Sequence, residues 1–392
     1  MKKVFVQTII PSLLLTALVV FCVLPISCKA TVDGIQVLQG DFTVPAIENV
    51  LVSGSSTFAL AFSKEVNLEQ AELYHGEQIV QDSKCALLLP ESESQKILDF
   101  KTEEPLTIGE KYTLRAVVSD NYGNTLTVQV PFKGYNDHPA RLIFSEVKKY
   151  ADVKNGKTEF VEFLCIQDGN LSDLEFFTAY SGEKSTYYFP PLEVKKGEYI
   201  TLHLRTENTG KSATKIKGYA NESAEDKTKS KTAESCDTAI DLWIEGTKAM
   251  IGNSDILVLQ NNLGKIQDSL VYYTTSTEPN FTKYSKTVLN VEQSGFWVDQ
   301  SGKNACSVES GVCVGKSFSA NRSLSRKNCE EILQNGNLSQ SSADDWIITD
   351  KITKQEVVYT KTGKVSSKTK TIIVTPAVTP GYANSTKEYV SQ

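Results

Sequence analysis

Arg141-Leu142-Ile143-Phe144-Ser145-Glu146-Val147 is followed, twelve residues on, by Glu159-Phe160-Val161-Glu162-Phe163. Both stretches are short and rich in β-branched and aromatic side chains, the texture of strands rather than helices. The same texture recurs outward in both directions, at 56–62, 111–118, 199–204 and 255–259. Between such runs lie turn signals. Asp120-Asn121-Tyr122-Gly123-Asn124 reverses the chain into Thr125-Leu126-Thr127-Val128, with Gly123 supplying the positive φ of a hairpin turn. Long amphipathic helix patterns are nearly absent. Many short strands separated by Gly, Asn and Asp turns predict an all-β chain built of β-sandwiches.

At 392 residues the chain is long enough for two or three domains. Hydrophobic content of 40% and charged content of 22% exclude collagen-like, wholly disordered and multi-spanning membrane classes. With 3 His and 2 Met, a histidine-rich metal enzyme is not expected. A pI near 5.4 and a net charge of −6 offer no attraction to nucleic acid phosphates, so no nucleic acid partner is expected.

Lys2 and Lys3 precede an apolar run from Leu13 to Ile26, which is too short to span a bilayer. A basic start, a short apolar core and a small-residue exit are the parts of a secretory signal. The exit, Leu24-Pro25-Ile26-Ser27-Cys28, resembles a bacterial lipobox with its Leu one place further out than usual. Relaxed boxes of this kind occur in spirochaetes, among other lineages. The resemblance implies a cleaved segment 1–27 and acylation (palmitate) of Cys28, the rival being ordinary cleavage near Ala30. Loss of the signal leaves 39 basic against 47 acidic side chains, formally −8. The expected location is the cell envelope, lipid-anchored, at the outer membrane or cell surface.

Residues 33–134 contain Phe62-Ser63-Lys64-Glu65-Val66, read as a strand leaving into a loop. Leu106-Thr107-Ile108-Gly109-Glu110-Lys111-Tyr112-Thr113-Leu114 and Asp120-Asn121-Tyr122-Gly123-Asn124 follow. In this order the motifs resemble a bacterial Ig-like domain, usually a spacer or adhesive module. Residues 131–139 read as a linker. From 139 to 385, the two opening strands are joined by Ser323-Leu324-Ser325-Arg326, Trp346 and Thr379-Pro380-Gly381-Tyr382-Ala383-Asn384. That series resembles the lamin-tail domain, an Ig-like sandwich of nuclear lamins and many exported bacterial proteins. One residue is inserted before Glu146 relative to the family's opening strand. The match is longer than the usual domain because of insertions at about 206–235 and 280–345. The first nearly lacks apolar residues and is expected to be a mobile loop. Residues 360–370 are expected to form a hairpin tip.

Six cysteines remain beyond the signal and Cys28. An even number outside the cytoplasm permits disulfides, and Cys306 with Cys313, enclosing a short loop, is the favoured pair. No zinc-ligand spacing occurs. Gly311-Val312-Cys313-Val314-Gly315-Lys316-Ser317 is one residue short of a phosphate loop and reads as accidental. His75, His138 and His203 lie in different elements, without a nucleophile-elbow serine. Glu159 and Glu162 fall on opposite faces of a strand and are read, with the other acids, as solvated surface. Asp344, Asp345 and Asp350 beside Trp346 offer a minor Ca²⁺ reading; otherwise no cofactor is expected. Trp297 is the candidate ligand contact, and Trp346 the candidate core tryptophan. The expected function is non-catalytic: binding, adhesion or scaffolding towards envelope proteins, matrix proteins or glycans. The alternative is a carbohydrate-binding or accessory protein of an envelope hydrolase.

Overall fold

The computed structural model describes residues 41–390, apart from 77–83, 89–93, 211–212, 275–280, 316 and 360–364. The signal-like segment and Cys28 lie outside the described residues. The chain is all-β, and among the described residues the helices between strands are short.

The first unit is organised by one strand of 19 residues, Thr57–His75. Its first part pairs with Ile47–Gly54 and Gln95–Thr102, and its second part, from Asn67, with Lys111–Ser119. Lys111–Ser119 in turn pairs with Thr125–Lys133 through the expected turn. The Phe62–Val66 segment is therefore not an exit into a loop. It is the place where one strand changes partners, marked by a register shift between Ala61 and Val66. Phe58, Leu60, Phe62 and Val66 point inward against Leu98, Phe100 and Leu114. Asp120 ties the turn by accepting from the backbone N–H groups of Tyr122 and Asn124, each at 2.9 Å.

The second unit has two sheets. One runs Ala239–Trp243, Tyr199–His203, Phe160–Gln167, Arg141–Lys148, Leu324–Arg326, Trp346–Ile348. The other runs Tyr187–Tyr188, Leu174–Thr178, Asp255–Asn261, Ile266–Tyr273, Val312–Cys313. Phe144, Phe163, Phe176, Leu257 and Leu270 fill the space between them. The outer face of the first sheet is covered as well. Ile143, Leu164 and Ile166 pack on Ile332 of the helix Cys329–Asn335. That double burial explains why Phe160–Gln167 reads as an almost unbroken apolar run.

Both segments expected to be insertions make structural contacts, and the first corrects an expectation. Tyr199–His203 pairs in parallel with Ala239–Trp243, and parallel neighbours need a long crossover. Residues 206–235 supply that crossover. They also cover the outer edge of Ala239–Trp243. Glu222 accepts from the Asp241 N–H at 2.9 Å, and Asn221 from the Trp243 N–H at 2.8 Å. Glu234 accepts from the Thr158 N–H and pairs with the buried ammonium of Lys148 at 3.1 Å. The segment is poor in apolar residues because its side chains satisfy a sheet edge instead of filling a core. The excursion through 280–310 likewise ends in a parallel pairing, Val312–Cys313 beside Ile266–Tyr273. The late hairpin pairs Ile352–Tyr359 with Val365–Thr375 and with no other strand among the described residues, so residues 365–370, expected in its tip, belong to a strand, and 360–364 lie outside the described residues.

The two units meet closely at Gly109, and the first unit packs tightly on itself at Gly134. A Cβ on Gly109 would stand 2.5 Å from Ser172 Oγ, and one on Gly134 only 2.1 Å from the Thr107 carbonyl oxygen. Gly134 lies outside the left-handed region, so its requirement is space alone. Gly134→Ala is expected to cost about 1–3 kcal/mol through overpacking against backbone. A lowered urea midpoint by circular dichroism reports it; an unchanged midpoint would show that the 107 loop yields freely.

Candidate functional site

The most unusual chemistry lies where the two opening strands pair. Phe144 and Glu146 oppose Phe163 and Glu162, with a register shift between them. Ser145 is the extra residue of a β-bulge, the same inserted residue visible in the sequence. The bulge sets Glu146 directly opposite Glu162, and neither is exposed. Burial pushes the Glu146 carboxyl up to about 7, against the pull of hydrogen bonds from Ser323 and Thr379. Burial and the neighbouring Glu146 raise Glu162 well above the usual carboxylate range. Two like charges this close cannot both ionise away from water, so the pair retains a proton near neutrality.

The C-terminal segment closes over this pair. The Thr379 N–H donates to both Glu146 oxygens at 3.1 Å, and the Gly381 N–H donates to Glu162. Asn384 Nδ2 donates to the Ser145 and Arg326 carbonyls, each at 3.1 Å. Gly381 has φ 76°, and a Cβ there would strike Cys236 Sγ at 2.0 Å. Beside this network, Arg326 meets Asp268 at 2.6 Å, with both side chains fully buried. The guanidinium also donates to the Phe144 carbonyl and lies 4.6 Å from the Trp346 ring. The late motifs therefore converge on one sealed lock. Its carboxylates have acid/base-like proton affinities but no open face for a substrate.

The candidates from sequence are dispersed. Trp297 is fully buried, and its Nε1 donates to the Ser310 carbonyl at 3.0 Å. It packs in the main core and offers no ring to a ligand. Cys306 and Cys313 are both free thiols, as are the four other described cysteines. Cys306 faces inward, its thiol raised to about 12 by burial, whereas Cys313 is exposed on a strand held beside Tyr272 and Tyr273. The two sulfurs thus lie in different surroundings, one enclosed and one in solvent. Glu146, Glu159 and Glu162 are buried, not solvated. Asp345 caps its own turn at the Ser342 N–H and Asp350 pairs with Lys387 at 3.1 Å. Among the described residues, no three His, Cys, Asp or Glu side chains gather as a metal site.

A different feature, which no sequence motif marked, is concave and open to solvent. A groove of about 530 Å³ lies between the two units. Lys133, Tyr135 and Asn136 come from the end of the first unit and the linker; Asp173, Tyr188 and Asn262 come from the second. The volume falls within the usual range of small-molecule sites. Buried Asn136 braces one wall by donating to the carbonyls of Asn170, at 3.2 Å, and Ser172, at 2.9 Å. Asp173 sits at the tip of the turn closed by Leu174 N–H to the Leu171 carbonyl, and it has φ 71°. Among the described residues it is the one non-glycine with positive φ. An L-residue there costs about 1–2 kcal/mol, although Asp tolerates it better than most. The turn carries a carboxylate where stability alone favours glycine. Burial raises the proton affinity of Asp173, while Lys133 and Asn262 oppose that rise.

Comparison with known proteins bears on the second unit. Residues 140–348, more than half of the chain, match the family described as TP_1001_2nd, protein second domain. The matched span runs from the first core residue of the second unit to its last sheet strand, Trp346–Ile348. An "Uncharacterized protein" of Treponema pallidum (strain Nichols) is 31% identical over 170 residues. The alignment covers 43% of this chain and 40% of that protein, so the chain spans well under half the relative's length. The crystal structure of a DUF4876 family protein from Bacteroides thetaiotaomicron aligns over 72% of this chain and 91% of its own. At 11% identity and a TM-score of 0.27, that likeness carries no argument.

The lock carries a pH signature. Glu146 binds its proton more tightly folded than unfolded, so its stabilising contribution is complete below about pH 4.5 and is lost as pH rises through about 7. Glu162 shifts in the same sense. Glu146→Gln, whose amide mimics the protonated acid, is therefore expected to flatten the fall in stability between these limits. Urea titrations of both proteins across that range check this; parallel slopes would exclude the acid pair as the cause.

Proposed function

Because the chain belongs to the TP_1001_2nd protein second domain family, and its buried acids lie under a closed strap, we propose that it is a non-catalytic lipoprotein of the cell envelope. Its work is binding, adhesion or scaffolding. Cys28 is the anchor, and the first unit holds the second away from the membrane. The observation that carries the binding reading is the groove. It is the place where side chains from both units face solvent in a concave surface. A site shared between units depends on their relative placement, and the close approach of Gly109 to Ser172 and Pro191 constrains that placement. The lamin-tail resemblance of 139–385 supports a tethering role by analogy of fold.

The carbohydrate-associated alternative keeps one favourable observation, although it moves from buried Trp297 to the groove. There, exposed Tyr188 neighbours amide and carboxylate side chains.

The anchor is testable directly. Metabolic labelling with a palmitate analogue is expected to mark the wild-type chain and not Cys28→Ala, which should also leave the detergent phase on partition. Equal labelling of the variant would remove Cys28 as the anchor. Adhesion or scaffolding predicts that deletion weakens envelope integrity or surface attachment, and that anchored protein restores it.

A further inference from the structure

A saccharide presents two kinds of surface at once: the C–H face of a ring and a fringe of hydroxyls. Recognition calls for an accessible aromatic face beside fixed, planar hydrogen-bonding groups. The groove holds both. Tyr188 is 61% exposed and pairs across the strands with Glu175. The Lys133 ammonium lies 5.9 Å from the Tyr188 ring centre. Glu175 is oriented by Gln260 Nε2 at 3.1 Å. Across the groove, the Asn262 N–H donates to the Asp173 carbonyl at 2.8 Å, locking the turn that presents the Asp173 carboxylate.

Other ligand classes fit less well. The groove is lined by one ammonium, Lys133, and two carboxylates, Asp173 and Glu175, so a phosphate would meet net negative charge. A lipid chain would strand the amides and carboxylates without partners. Hydroxyl donors satisfy them.

We infer that the groove between the two units is a saccharide site, with Tyr188 as the stacking platform and Asp173, Glu175 and Asn262 as hydroxyl partners. This rests on reading the groove as the protein's binding face. It also accounts for Asp173: its carboxylate is held at the one strained non-glycine position described, where it can point a fixed acceptor at a ligand.

The test uses the full-length chain in detergent, applied to a printed array of neutral, N-acetylated and acidic oligosaccharides. Any hit is measured by isothermal titration. Three variants accompany the wild type: Tyr188→Ala, Asp173→Asn and Asp173→Gly. Tyr188→Ala is expected to lose about tenfold or more in affinity. Asn and Gly both tolerate the backbone at 173, so both variants should fold. They should weaken binding several-fold while the thermal midpoint holds, or rises for Gly. A wild type that binds no saccharide, or binding untouched in all three variants, overturns the inference. A parallel arm separates the two readings. A photo-crosslinking residue at Leu263, 85% exposed at the groove rim, is used in cells. A blank array with cross-links that Tyr188→Ala abolishes keeps the groove and rejects the saccharide. A blank array with cross-links that do not depend on Tyr188, or with none, rejects both.

Discussion

Two carboxylates facing each other across adjacent strands, away from solvent, constrain the second unit more than any other contact. Such a pair survives only if one partner keeps its proton and both find donors. The donors come from far along the chain: Ser323 from a neighbouring strand, and Thr379 and Gly381 from the C-terminal strap. The pair therefore tells the chain's end where to dock. Arg326 and Asp268 impose a similar demand between the two sheets, because a buried charge with one partner removed is far costlier than the pair. Together they make a polar seam through an otherwise apolar sandwich.

The insertions follow from sheet geometry. Each parallel pairing needs a crossover, and each outer strand has an edge that must be covered. Residues 206–235 do both for Ala239–Trp243, using Asn221 and Glu222 as substitute hydrogen-bond partners. The late hairpin is different. Its strands pair only with each other among the described residues, and Ile373 and Val374 remain exposed on it. A two-stranded ribbon has little to hold it beyond its own ladder.

The chemistry of the molecule is thus divided. The paired acids Glu146 and Glu162, whose proton affinity burial raises, are enclosed, where they organise folding. The groove between units is where polar and aromatic side chains meet solvent in a concave surface, and its shape depends on how two separately cored units touch. Trp297, the most tempting aromatic in the sequence, lies on the enclosed side of that division.

Local features were legible in the sequence. The strands at 111–118, 160–164, 199–204 and 255–259, the Gly123 turn and the late hairpin follow from periodicity and turn chemistry, which operate over a few residues. The extra residue before Glu146 was visible too, although not its consequence. Glu162 could have been read as buried, since apolar residues on both sides of 160–166 imply a strand covered on both faces. What the tertiary structure decided depends on partners distant in the chain. The bulge brings Glu146 to Glu162, and the strap that satisfies them lies more than two hundred residues later. Likewise, Asn221 and Glu222 of the polar segment are fixed because a strand edge donates to them, and the two units approach at Gly109, where a Cβ would meet Ser172. Periodicity cannot encode any of these, because each is a relation between surfaces that form only after the strands have paired.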